Sequence, residues 1–334
     1  MTEINQIKSL LVMPKDIVIL SHRNPDGDAI GSSLALAHFL RKLKHKVDII
    51  LPSECPTNFK YLEGFEEIMI FDLKHDECRE KVNEAKIIFC LDFNALDRID
   101  KLGENVQFSK ADKIMIDHHL DPEPFADFVI SDTGASSTSE LVFKFMVDLG
   151  YENMIDPKIG SGLFTGLVTD TGSFKYATRP YTYEVAGKLK QLGVDDYGIQ
   201  NHIFNALKEK HLRLLGHCLA NRMEVYSDKH TAMIHLTKQD YKDFNIQRGD
   251  TEGIVNYMLM MENIHMAAFI MEQPSIVKIS LRSKGSIDVQ QIASKNFNGG
   301  GHKNASGGSA YAKLEDVLDK FRKMVEGLNL QIIS

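Results

Sequence analysis

Between residues 21 and 33 the sequence reads SHRNPDGDAIGSS, which places one imidazole and two carboxylates, His22, Asp26 and Asp28, within a seven-residue span. A histidine and two acids so close together suit a hard divalent ion that accepts some nitrogen, such as Mn2+. The Asp-Gly-Asp bend keeps its carboxylates near each other, so each can reach a different ion of a pair. The same segment also reads as a turn rich in Asn, Pro, Asp and Gly with a helix N-cap. Taken alone, it leaves both readings open.

Three further segments repeat the theme. Asp92 follows the apolar run IIFCL, where it can be a ligand or the N-cap of ALDRID. IMIDHHLD (114–121) delivers Asp117, His118 and His119 after another apolar run, against the plainer reading of a polar loop with surface histidines. There one imidazole can ligate while the other faces a substrate, and Asp117 can orient an imidazole N–H. GLVTDTGSF (166–174) ends a helical pattern on Asp170, an acid that the helix macrodipole disfavours unless it is solvated or compensated by a cation. The combined set is too oxygen-rich for structural zinc. It suits a binuclear Mn2+ or Mg2+ site, with ions roughly 3.5–4 Å apart and a bridging hydroxide as nucleophile, a clamp well matched to phosphoryl transfer. Far downstream, SLRSK (280–284) and NGGGHKNASGG (298–308) offer Arg282, Gly299, Gly300, Gly301 and His302. Glycine N–H groups can cradle an anion and the basic side chains can grip a phosphate, although a glycine-rich loop is also an ordinary tight turn.

These residues need a scaffold that brings strand ends together. DIVIL (16–20), VDIIL (47–51), EIMIF (67–71), KIIFCLD (86–92) and KIMID (113–117) read as buried strands separated by helix-sized segments, the first helix running from about Ala29 to Leu43. That pattern predicts an α/β domain with a mainly parallel, doubly wound sheet, whose ligands bind beyond the carboxyl ends of the strands. His22, Asp92 and Asp117–His119 all fall at such ends. Ser137-x-x-Glu140 reads as a capping box ahead of LVFKFMVDL. Helical pattern then continues through IGSGLFTGLV, AGKLKQL, IQNHIFNAL and KEKHLRLLGHCLANR, and we read this helical stretch as a connector counted with the first domain, with the boundary near 205–222. A catalytic domain over 1–205 and a smaller α/β domain over 220–334 follow. In the latter, MEVYS and TAMIHL form a hairpin around Asp228-Lys229, GIVNYMLMM and VQQIAS are helices, AAFIM and VKISLRS are strands, 299–308 is a loop, and LEDVLDKFRKMVEGL closes the chain as a helix.

Composition narrows the partners. The 334 residues carry 39 basic and 46 acidic side chains, a net charge of −7, so no global basic field draws the chain to long duplex nucleic acid or anionic lipid. A short phosphorylated ligand fits better, with metal ions supplying the positive charge. Cys55, Cys78, Cys90 and Cys218 are scattered and form no metal motif or disulfide framework. With no secretory signal pattern and no apolar run of about 20 residues, the expectation is a cytoplasmic protein that contacts no membrane. A homodimer stays open. His202, His211, His217, His230 and His235 show no ligand-like grouping with acids, the YMLMM run reads as core or interface, and Phe and Tyr are too scattered to mark a base-stacking platform.

The ordered set His22-x-x-x-Asp26-x-Asp28, Asp92, Asp117-His118-His119 and Asp170 resembles the four motifs of the DHH phosphoesterases, and GGGH at 299–302 resembles the signature of the DHHA1 domain. Length and layout are most similar to the bifunctional oligoribonuclease/3′-phosphoadenosine 5′-phosphate phosphatase group, whose relatives are also labelled exopolyphosphatase-related. The resemblance implies that His22, Asp26 and Asp92 hold one Mn2+ and that Asp28, Asp92, His118 and Asp170 hold the other, with Asp92 bridging. It implies that His119 sits by the scissile phosphate, and that Arg282, Gly299–Gly301 and His302 grip substrate across a cleft. The expected activity is hydrolysis of short oligoribonucleotides and 3′-phosphoadenosine 5′-phosphate. Linear dinucleotides such as pApA, or polyphosphate, are the enzymatic alternatives. A metal-dependent nucleotide-binding protein without catalysis is the rival class, disfavoured because binding alone would not need the full ligand set.

Overall fold

Asp26 begins the architecture that matters for the site. Its Oδ1 accepts hydrogen bonds from the backbone N–H groups of Asp28 and Ala29, at 3.0 and 3.1 Å, which caps the long helix that follows the first strand. The computed structural model describes residues 3–205, 207–247 and 249–328. The chain divides into two compact units, Met1–Ala206 and Leu207–Ser334.

In the first unit the order is α1 (Glu3–Leu10), β1 (Asp16–Leu20), α2 (Gly27–Lys42), β2 (Lys46–Leu51), β3 (Met69–Ile70), α3 (His75–Glu84), β4 (Ile87–Leu91), α4 (Leu102–Phe108), β5 (Asp112–Asp117), β6 (Phe128–Ser131), α5 (Thr138–Asp148), α6 (Pro157–Asp170), α7 (Pro180–Gln191) and α8 (Asp196–Phe204). The strands form one sheet in the order β3-β2-β1-β4-β5-β6, every pair parallel. Alternate side chains serve opposite layers. Ile17, Ile19, Ile87 and Phe89 pack with Ile30, Leu34, Leu141 and Leu163 from α2, α5 and α6. Val18, Leu20, Ile88 and Cys90 pack with Cys78, Val82, Leu102 and Val106 from α3 and α4. This is the doubly wound sheet the sequence predicts. The strand order reverses between β1 and β4, and in open α/β sheets ligands bind at such a switch point.

Several expectations need correction. EIMIF shrinks to Met69–Ile70, because Phe65–Glu67 closes as a 3-10 turn after the left-handed Gly64. The edge strand β6 was not foreseen, since FVIS is half-buried and lacks a continuous apolar signal. Ser137 does cap α5 by accepting from Glu140 N–H at 3.1 Å, but Glu140 does not complete a capping box. Its fully buried carboxylate instead accepts from Ser136 Oγ, Thr182 Oγ1 and Arg179 Nε, tying α5 to α7.

The second unit runs α9 (Glu209–Asn221), β7 (Met223–Tyr226), β8 (Thr231–Leu236), α10 (Lys238–Asp243), α11 (Ile254–Met258), β9 (Met266–Glu272), β10 (Val277–Ser283), α12 (Val289–Asn296), β11 (Gly300–His302), β12 (Ala305–Ala310) and α13 (Leu314–Glu326). Its sheet has the order β11-β12-β10-β9-β8-β7, with β8 and β9 parallel and the other pairs antiparallel. Helices α12 and α13 cover one face through Val289, Ala293, Val317, Leu318 and Phe321. Leu214 and Cys218 of α9 join Ile254, Val255 and Met258 of α11 on the other, so the last part of the stretch read as a connector packs on this second sheet. GIVNYMLMM is helical only over Ile254–Met258. The expected loop at 299–308 is a hairpin, with Gly300 opposite Gly307 and Gly301 opposite Ser306. Its glycines hide the strands from propensity reasoning, yet the close approach requires one of them: a Cβ on Gly299 would overlap the Gly307 carbonyl. Among the described residues no helix is long and apolar enough to cross a membrane.

Candidate metal centre and substrate grip

β1, β4 and β5 deliver their last residues to one edge of the first sheet. His22 follows β1, Asp92 follows β4, and Asp117 ends β5 ahead of His118 and His119. Asp28 lies in the first turn of α2 and Asp170 in the last turn of α6. These helices meet because Gly31 and Gly162 lack side chains, so each backbone approaches the other's carbonyl where a Cβ would overlap. That contact brings Asp28 and Asp170, far apart in the sequence, into one cluster.

Three interlocking groups of acid and imidazole result: His22, Asp26 and Asp92; Asp92, His118 and His119; and Asp28, His118 and Asp170. Within each, ligand atoms lie within 4.8 Å of one another. Asp92 is the hinge of the arrangement. Its Oδ2 is 3.3 Å from His22 Nε2, while its Oδ1 is 3.6 Å from His118 Nε2 and 3.8 Å from His119 Nδ1. It is only 2% exposed and its backbone adopts φ +63°, a conformation that costs a non-glycine residue energy and concentrates at functional sites. His118 Nε2 is also 3.3 Å from Asp170 Oδ2.

The histidines share an orientation rule. His22 Nδ1 donates to the Arg23 carbonyl at 2.9 Å, His118 Nδ1 to the Ala135 carbonyl at 3.4 Å, and His119 Nδ1 to Asp117 Oδ1 at 2.8 Å. A carbonyl can only accept, so the proton of His22 and of His118 is fixed on Nδ1 and Nε2 is presented to the cluster. Asp117, fully buried, also accepts the His119 backbone N–H at 3.0 Å.

The electrostatics describe a site short of positive charge. Burial, then the charges of Asp170 and Asp92, push the Asp28 carboxyl well above the usual carboxylate range. Burial raises Asp170 as well, against the lowering pull of His118. Burial opposes charging of His22, but Asp26 and Asp92 outweigh it and lift the imidazole to about 10. His118 shifts upward for the same reason, with Asp170, Asp28 and Asp92 overcoming burial. Protons are thus retained where divalent cations would relieve the repulsion more fully. An oxygen-rich donor set with imidazole Nε2 atoms fits Mn2+ or Mg2+ rather than a thiolate-bound metal.

Sequence reasoning missed the residues that hold the acids. Thr138 N–H and Ser139 N–H donate to Asp28 Oδ2 and Oδ1 at 2.6 and 2.9 Å, and Thr138 Oγ1 donates to Asp92 Oδ1 at 3.0 Å. The only signal was the polar run ASSTSE ahead of α5, which marks a helix cap but not a partner 110 residues away. His211 and His217 each pair with one acid, Asp250 at 2.7 Å and Asp240 at 2.9 Å, and neither belongs to the metal-like groups found among the described residues. A hollow of about 430 Å3 bordered by Asp132, Lys144, Arg179 and Tyr181 contains none of the clustered acids or histidines.

In the second unit Arg282 lies in β10, half-buried, with its Nη1 donating to the Leu281 carbonyl at 3.0 Å; burial lowers its pKa against the pull of Glu252. Strand register sets Arg282 opposite Ala305, and Ala305 opposite the backbone of His302. Arg282 and His302 thus share a row, two strands and roughly 10 Å apart. The His302 side chain lies outside the described residues. Gly299 N–H donates to the Ala293 carbonyl at 3.2 Å.

Residues 16–167 match the model of the DHH family, N-terminal domain, and residues 231–328 match the DHHA1 domain. The chain is 28% identical over 303 residues to the Bacillus subtilis bifunctional oligoribonuclease and PAP phosphatase NrnA, covering 89% of this chain and 90% of that protein. An exopolyphosphatase-related protein from Bacteroides fragilis superposes with a TM-score of 0.94 at 40% identity, covering 97% and 95% of the two chains. RecJ from Thermus thermophilus, solved with Mn2+, shares the fold at a TM-score of 0.55 and 14% identity, covering 97% of this chain and 54% of that one.

Proposed function

The chain belongs to the DHH family and bears a DHHA1 domain, and from that membership we propose that it is a two-metal phosphoesterase acting on short oligoribonucleotides and on 3′-phosphoadenosine 5′-phosphate. The observation that carries this reading is Asp92, whose Oδ2 faces His22 and whose Oδ1 faces His118. A carboxylate turned both ways is what two adjacent cations need. In this reading His22, Asp26 and Asp92 hold one ion, and Asp28, Asp92, His118 and Asp170 hold the other, with Mn2+ favoured over Mg2+. Divalent ions bound there would supply Lewis acidity and a nucleophile generated from water at neutral pH.

The chain's own groups do the rest. Asp117 fixes the His119 ring through Nδ1, which leaves His119 Nε2 to face a phosphoryl oxygen. Asp28 is gripped by two backbone N–H groups and so keeps its place whether or not a cation is bound. Arg282, with its fixed planar fork, is our choice for bidentate grip on a substrate phosphate, aided by Gly299–Gly301 and His302. The relative in Bacillus subtilis carries both activities in its name, which supports pairing a diester and a monoester substrate here. Free thiols at Cys78, Cys90 and Cys218, all buried, agree with a cytoplasmic setting.

The test is a substrate panel with Mn2+: 3′-phosphoadenosine 5′-phosphate, di- to pentaribonucleotides, pApA and polyphosphate, each against Asp92→Ala. We expect hydrolysis of the first two classes and a loss of at least ~1000-fold in Asp92→Ala, consistent with the removal of an essential group. Equal turnover by the variant would defeat the bridging role of Asp92. Turnover of polyphosphate alone would defeat the nucleotide reading, and tight nucleotide binding without hydrolysis would make the chain a binding protein.

A further inference from the structure

We propose that Thr138 is a positioning residue that sets the orientation of Asp92 and its spacing from Asp28, and so determines how tightly the two ions are held together. The inference rests on the two-metal reading above. It begins with a geometric coincidence: one residue contacts both acids by different groups. The backbone N–H of Thr138 donates to Asp28 Oδ2 at 2.6 Å, and its side-chain Oγ1 donates to Asp92 Oδ1 at 3.0 Å. Thr138 is fully buried, so no water competes for either bond.

The Oγ1 bond has a specific consequence. A carboxylate rotates about its Cβ–Cγ bond, and a bridging one is useful only at the angle that presents one oxygen to each side. Asp92 Oδ1 faces His118 and His119, whereas Oδ2 faces His22. Of these contacts, the Thr138 hydroxyl is the neutral donor, and it engages only Oδ1. It therefore biases the carboxylate plane without adding charge, and leaves a second lone pair on Oδ1 for a cation. Gly166 supports the same corner. A Cβ there would overlap Ser139 Oγ and Asp28 Oδ1, so the first turn of α5 is pressed against α6 with no slack.

The site chemistry makes the hydroxyl replaceable by serine but not by valine. Thr138→Val keeps the shape and the N–H bond to Asp28 but removes the donor to Asp92. Thr138→Ser keeps both donors. Outer groups that orient metal ligands are typically worth about 10–100-fold in metal affinity, which gives the scale of the expected effect.

The experiment is calorimetric titration of the full-length, chelator-stripped protein with Mn2+ at pH 7.5, alongside the melting temperature in EDTA and steady-state hydrolysis of 3′-phosphoadenosine 5′-phosphate. We expect Thr138→Val to weaken Mn2+ binding about 10-fold or more and to lower kcat with KM little changed. Thr138→Ser should bind Mn2+ within about 3-fold of wild type. The melting temperature in EDTA separates metal positioning from simple unfolding, because the fold without metal keeps the Asp28 bond in both variants. Unchanged Mn2+ affinity in Thr138→Val overturns the proposal, as does an equal loss in Thr138→Ser. Wild-type protein that binds two Mn2+ but hydrolyses no phosphoester defeats the functional reading while the titrations still decide Thr138. Wild-type protein that binds no divalent ion overturns both.

Discussion

At the scale of single residues the cluster is defined by protons held where they are costly to remove. His22 keeps its charge because Asp26 and Asp92 outweigh burial and raise it from 6.5 to about 10. A raised pKa in the folded state means stability that is present below the unfolded value and is lost as pH climbs toward the folded one. His118 and Asp170 shift in the same direction and contribute with the same sign. Asp26 is lowered, so its contribution is complete above its ordinary range and does not change at neutral pH. Without metal, the protein should therefore lose stability between pH 6.5 and 8.5, on the order of 2 kcal/mol from His22 alone. Burial raises the thiols of Cys78, Cys90 and Cys218 as well, so their ionisation in the unfolded chain adds to the loss with the same sign at the top of the window. Urea unfolding in EDTA at several pH values measures this, and a stability that rises across the window would refute it. Saturating Mg2+ should flatten or reverse the slope, because cations replace the protons and bind better as these are lost.

At the scale of elements the site depends on how closely α2, α5 and α6 pack. Gly166 lies on α6 where a methyl group would meet Ser139 Oγ and Asp28 Oδ1, whereas Gly187, exposed on α7, has nothing within 4 Å of an added Cβ. Alanine should therefore act with opposite signs at the two positions. Gly187→Ala should stabilise by about 0.5–1 kcal/mol through helix propensity alone. Gly166→Ala should cost about 1–3 kcal/mol by overpacking and should weaken Mn2+ binding by displacing Asp28. Denaturant midpoints with a metal titration check both, and a neutral Gly166→Ala would show that the corner has room to relax. What could be read from sequence follows the same division. The runs ending at His22, Asp92 and Asp117 are continuous and apolar, so their edge of the sheet was legible. Thr138 was not, because a hydroxyl among three serines carries no sign of an acid 46 residues earlier. The β11–β12 hairpin was hidden for a different reason: glycine is depleted in strands generally, and here the close backbone approach demands it.

At the scale of the whole molecule the two units carry different kinds of chemistry. All three acid–imidazole groups found among the described residues fall between His22 and Asp170, inside the first unit. The second sets Arg282 in register with the backbone of His302, and its acid–histidine pairs, His211–Asp250 and His217–Asp240, are each satisfied locally; in the proposed reading Arg282 grips substrate there. Metal and substrate should therefore order different parts of the chain. Hydrogen exchange on the intact protein distinguishes them. Mn2+ alone should slow exchange at the first turns of α2 and α5 and in the segments after β4 and β5, where the amides of Thr138, Ser139 and His119 bond the clustered acids. It should leave β10 to β12 unchanged. Adding a non-hydrolysable phosphorothioate dinucleotide with Mn2+ should extend protection to β10 and the β11–β12 hairpin. Protection of that hairpin by Mn2+ alone would place a metal ligand in the second unit. Its absence with the dinucleotide would remove Arg282 and the glycine row from substrate binding, and would leave recognition to the first unit.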